Sequence, residues 1–157
     1  MPYDSISKKC DLLYTPKNYR FSGGSHRRVA IKEMHKRREL VQTILRLIRV
    51  KNEKEGAKMM DNFAGIYWDD TNKSQVACVC PTLGWKMIFN AASKRGVIDL
   101  FMDIIHEYTH VATGLQNHGE RFMWECEKRV AKYIPIFIEH AAELGLSPQP
   151  LRLRKRK

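Results

Sequence analysis

No stretch of eighteen consecutive apolar residues occurs in this chain, so no transmembrane helix is expected. The opening MPYDSISKKCDLLY lacks the continuous apolar core of a secretory signal. Both absences point to the cytoplasm, with no membrane partner, and are compatible with association with a nucleoid. Cysteine is scarce, with 4 in 157 residues. Without export, Cys10, Cys78, Cys80 and Cys126 read as reduced thiols rather than as two disulfides. Cys78 and Cys80 form a C-x-C, not a C-x-x-C, and no second pair completes a zinc ribbon. Their alternation places both on one face of a strand, where packing is the simpler expectation. Internal repeats are missing as well. Acidic residues are the minority, 17 against 28 Lys and Arg, for a net charge of +11.

What is present suits one globular domain: 157 residues with 43% hydrophobic content can bury a core without staples. The charge is uneven along the chain. Residues 1–25 carry +2, residues 26–58 carry +7, residues 59–118 carry −2 and residues 119–157 carry +4. A mildly acidic centre between basic flanks suggests a body that adheres to a polyanion while another face does something else.

Periodicity gives the coarse organisation. Residues 1–25 show no clear pattern and read as an N-terminal extension ending in the flexible FSGGS. A long helix is expected from an N-cap at Ser25 to about Lys51, with Ala30, Met34, Val41, Ile44, Leu45 and Ile48 on its apolar face. A short helix over 53–62 follows. GIYWDD, SQVACVCP and WKMIFNAA read as three strands, the first two joined by a turn at TNK. Helix returns from about Gly96 to a stop at Gly114. Another begins near Gly119, with Phe122, Cys126, Val130, Tyr133 and Phe137 on one face, until Pro135 kinks or ends it. The last residues, 147–157, form a basic tail expected to be disordered. The fold class is therefore α+β, with residues 26–146 as the domain.

The chemistry concentrates in HEYTHVATGLQNHGERF, residues 106–122. His106 and His110 are one helical turn apart and project from the same side, as two ligands of one tetrahedral zinc must. Glu107 lies beside them, where a general base would sit to deprotonate a metal-activated water. Ile98, Phe101, Ile104, Ile105, Tyr108, Val111 and Ala112 fill the rest of the wheel as a buried back. A chance HExxH is expected about 0.014 times in a chain of this composition, so a surface helix with scattered histidines is the weaker reading. The third ligand stays open on spacing alone. Thr113 and Gln116 stand where a metzincin would have glycine and histidine, which excludes that class. Glu125 or Glu127 would suit a thermolysin-like site, and His118, after a short loop, is the other candidate.

His106-Glu107-x-x-His110 followed by His118-Gly119-x-x-Phe122 resembles the SprT-like (Spartan-type) zinc metalloproteases, whose HExxH is followed after a variable loop by HGxxF. That resemblance implies a zincin-like minimal catalytic domain with a long N-terminal helix, a small three-stranded sheet, the HExxH helix and a following helix. It implies one Zn2+ held by His106, His110 and His118, with Glu107 as catalytic base and Phe122 anchoring the second helix. The implied activity is hydrolysis of peptide bonds in protein substrates, including proteins bound or crosslinked to DNA. Many members also carry a C-terminal cysteine zinc ribbon, whereas this sequence shows SPQPLRLRKRK there.

Other residues attract plainer readings. Asp99 and Asp103 are expected to favour the helix dipole rather than orient an imidazole. Tyr108 is expected in the core, and His26, His35 and His140 at the surface. Arg28, Lys32 and Lys36 form one row on the long helix, with Arg46 further along, and are expected to contact DNA phosphates rather than bases. The rival to the protease is a basic nucleic-acid-binding protein with a structural zinc, although structural zinc is usually closed by four protein ligands.

Overall fold

The computed structural model describes residues 12–14 and 24–146. The order is β1 (Leu12–Tyr14), α1 (Gly24–Lys51), α2 (Glu53–Asp61), β2 (Phe63–Tyr67), β3 (Ala77–Cys80), β4 (Lys86–Asn90), α3 (Val97–Thr113), α4 (Glu120–Tyr133) and the short α5 (Pro135–Glu139). It is a mixed α+β fold. The apolar face read for α1 is the one buried: Ala30, Met34, Val41, Ile44, Leu45 and Ile48 are each at most 4% exposed. Ser25 is not the cap, because α1 already begins at Gly24. The tail, residues 147–157, and residues 21–23 of FSGGS lie outside the described residues.

α1 turns into α2 at Asn52, whose side chain accepts a hydrogen bond from the Glu55 amide. The two helices approach closely at Gly56, where a Cβ would sit 2.3 Å from the Arg49 Cα, so only glycine fits.

The three expected strands are present, and a fourth short one, β1, pairs in parallel with β2. The sheet order is β1-β2-β4-β3. One detail of the sheet differs from the expectation. β2 and β3 do not form a hairpin across TNK; β4 lies between them, parallel to β2 and antiparallel to β3. Residues 86–90 are therefore interior, and the edge strands are β1 and β3. The burial explains the exchange: four of the five β4 residues are buried, whereas β3 is half-buried over Ala77–Val79. A strand apolar on both faces belongs inside a sheet.

One face of the sheet, with Met87 and Phe89, joins α1 and α3 in the main core. The other face, with Ala64, Tyr67 and Ile88, packs with Cys80 and Leu83 in a smaller cluster. Cys78 packs against that cluster, so the C-x-C packs as expected. Arg37 on α1 donates to the carbonyl oxygens of Asn90 (3.0 Å) and Ser93 (2.7 Å), fixing the helix to the end of β4. No described helix is long and apolar enough to cross a membrane.

Candidate metal centre

α3 carries the site because its two sides differ. Val97, Leu100, Phe101, Ile104, Ile105 and Tyr108 make the stripe that faces the core. Ile98 (42% exposed) and Ala112 do not belong to that back, contrary to the expectation from the helical wheel. Ile98 is about 120° from Ile104 on the wheel and falls beside the stripe. His106, about 160° from Ile104, and His110, about 120° from it on the side away from Ile98, are half-buried at the surface. Glu107, about 60° from Ile104, is drawn inward to 8% exposure.

The turn after α3 returns the chain to the two histidines. Gly114, at φ 71°, closes the helix with its amide on the His110 carbonyl. His118 follows, and Asn117 accepts from the Gly119 amide as α4 begins. His118 Nε2 then lies 3.2 Å from both His106 Nε2 and His110 Nε2. Adjacent ligands of a tetrahedral zinc with Zn–N near 2.0–2.1 Å are about 3.3 Å apart, so these three nitrogens fit one metal ion. Their ligand atoms all lie within 4.8 Å of one another, and no other residue joins this metal-binding group among those described. Glu125 is engaged elsewhere, accepting from Arg129 at 3.1 Å and facing Lys128 at 3.4 Å.

Neighbouring groups prepare the imidazoles. His110 Nδ1 is 2.7 Å from the Leu115 carbonyl oxygen. Burial, together with the nearby His110 and His118, lowers the His106 pKa and favours its neutral form. Phe122, fully buried, packs against all three rings with centroids 4.3–5.1 Å away.

Glu107 makes no hydrogen bond among the described residues, and its nearest ionic neighbour is His106 Nε2 at 4.0 Å. Burial, helped by the charge of Asp103, pushes its pKa up to about 7. Asp103 is not merely a dipole acid: it is buried and held bidentately by Arg95 at 2.8 and 2.9 Å. Its charge raises the pKa of Glu107 and works against the lowering at His106. Cys78, also facing this region, has its pKa raised to about 12 by burial and then by Glu107, so it stays a thiol.

The histidines and Glu107 open onto a cavity of about 830 Å³ whose opposite wall is β3 and the turn after it, including Cys78, Val79, Pro81 and Trp85. Trp85 is not singled out by the sequence reading; its signal there is a tryptophan placed directly after the turn glycine Gly84.

Arg28, Lys32, Lys36 and Arg46 are exposed along α1 and are not part of this centre. Lys36 is 3.7 Å from Glu33, and Arg46 donates to Thr43. His35 is exposed, His140 pairs with Glu143 at 2.7 Å, and the side chain of His26 lies outside those described. No family model, curated protein or solved structure matches this chain.

Proposed function

We propose that this protein is a zinc-dependent endopeptidase of the SprT-like type. One observation carries the reading: three imidazole Nε2 atoms converge beside a buried carboxylate on the wall of an open cleft. His106, His110 and His118 would hold the ion. Zinc in such a set supplies Lewis acidity toward a water molecule and a peptide carbonyl. Glu107 receives the proton of the attacking water and passes it to the leaving amine. The Leu115 carbonyl keeps His110 oriented, and Phe122 holds the rings at their spacing.

The substrate is an extended polypeptide. β3 is paired only with β4 among the described residues, so its outer edge can take an added strand running past the histidines. A structural zinc in a nucleic-acid-binding protein is the weaker alternative, because it calls for a fourth protein ligand and the group here has three. Exposed Arg28, Lys32, Lys36 and Arg46 would hold DNA phosphates and bring DNA-bound or DNA-crosslinked proteins to the cleft.

The test is metal content and proteolysis on the purified full chain. One zinc per chain is expected, with cleavage of an unfolded protein that a chelator stops and added zinc restores. A zinc-loaded chain that cleaves no unfolded or DNA-bound protein would contradict the reading.

A further inference from the structure

Trp85 is the one non-glycine residue with positive φ (64°) among those described. It follows Gly84, also left-handed at φ 72°. A bulky side chain in this region costs about 1–2 kcal/mol, which glycine at the same position would avoid. The turn is firmly determined without the indole. Gly84 N donates to Pro81 O at 3.1 Å, Trp85 N donates to Cys80 O at 3.0 Å, and Leu83, 1% exposed, plugs the smaller core. Burial does not explain the tryptophan either, since it is 52% exposed. The described residues leave this strained aromatic half in water, so its place on a rigid turn points to a molecule bound against it.

We infer that Trp85, with Val79, Pro81 and Leu115, forms an apolar subsite that takes one large apolar side chain of the substrate. These residues line the same cavity as His106 and Glu107. A strand added along the β3 edge presents alternate side chains to this wall. An aromatic or branched aliphatic side chain would cover the indole face that the fold leaves in water. The inference rests on the endopeptidase reading for its substrate and makes Trp85 a specificity-determining residue rather than a catalytic one.

The experiment separates the two. Zinc-loaded Glu107→Gln protein, with and without Trp85→Ala or Trp85→Phe, is titrated with fluorescein-labelled decapeptides that differ by Phe or Ala at one scanned position. Anisotropy reads binding without cleavage. At one position the Phe peptide should bind about tenfold tighter than its Ala counterpart. Trp85→Ala should bring that ratio close to one, and Trp85→Phe should keep most of it. Zinc stoichiometry should stay at the parent value and the melting temperature should not fall, which a merely structural role would not predict. An unchanged ratio in Trp85→Ala overturns the subsite. So does a loss of single-stranded oligonucleotide binding with the peptide ratio intact, which would make the indole a base-stacking platform. Failure of the parent chain to cleave any peptide would count against the endopeptidase, while the binding ratio still decides the role of Trp85.

Discussion

His110 Nδ1 lies 2.7 Å from the carbonyl oxygen of Leu115, and since a carbonyl oxygen only accepts, the neutral imidazole carries its proton on Nδ1. The Nε2 lone pair is thereby turned toward His118, 3.2 Å away. The turn that delivers His118 also fixes the tautomer of His110, so ligand geometry and loop conformation are one property.

Gly114→Ala tests that coupling. Alanine at φ 71° is strained and should cost about 1 kcal/mol of stability. If the Leu115 carbonyl shifts with it, zinc affinity should fall about tenfold, the scale of losing a ligand's supporting hydrogen bond. Competition with a chromogenic chelator reads the affinity. Unchanged affinity would show that the loop does not orient His110.

His118→Ala should reduce zinc affinity sharply, whereas Glu125→Ala should leave it near the parent value. Glu125 is committed to Arg129 and Lys128. The reverse outcome would place the third ligand on α4 and remove the likeness to SprT-like proteases.

The elements legible in sequence were those whose own periodicity fixes them. α1, α2, α3 and α4 fall within a few residues of their expected ends because Asn52, Gly96, Gly114 and Gly119 punctuate apolar stripes. The histidines were legible because spacing on a helix determines direction. Sheet order was not, since the apolar pattern of residues 86–90 identifies a strand without saying what lies on either side. β1 has three residues, too few for a period. Asp103 looked like a dipole acid because its partner Arg95 precedes the helix and meets it only in the fold. Trp85 stayed hidden because backbone strain has no signature in composition.

Long-range polar contacts were equally unreadable, and one makes a pH-dependent prediction. Glu55 on α2 accepts from the Tyr133 hydroxyl and from Arg129 Nε at 3.0 Å, joining α2 to α4. Burial alone would raise its pKa, but these hydrogen bonds and the Arg129 charge outweigh burial and lower it below 4.5. A carboxylate with a depressed folded pKa contributes stability that is present above its unfolded pKa and lost as pH falls through the folded value. Glu55→Gln should therefore lower stability by about 2 kcal/mol at neutral pH. The difference in melting temperature from the parent should shrink as pH falls below about 4.5. A gap constant from pH 7 to pH 3 would contradict the ionic role.

Arg28, Lys32 and Lys36, changed together to Ala, should weaken DNA binding similarly across sequences. The slope of log affinity against log salt should fall by about 0.7–0.9 for each phosphate no longer neutralised. Zinc content and cleavage of an unbound substrate should persist, because none of the three lines the cavity at the histidines. Fluorescence anisotropy over a salt series, with single- and double-stranded DNA, is the measurement. Unchanged affinity and slope would make this helix face simply solvated.

The role of Glu107 as the base is decided by the cleavage rate of zinc-loaded Glu107→Gln on an unfolded protein, with metal content determined on the same sample. Glutamine keeps the size of the side chain and leaves the three imidazoles in place, but it cannot accept the proton of the attacking water. About one zinc per chain, unchanged folding and a rate at least about 100-fold below the parent are expected. A Glu107→Gln protein that retains its zinc and cleaves at near the parent rate would contradict that role.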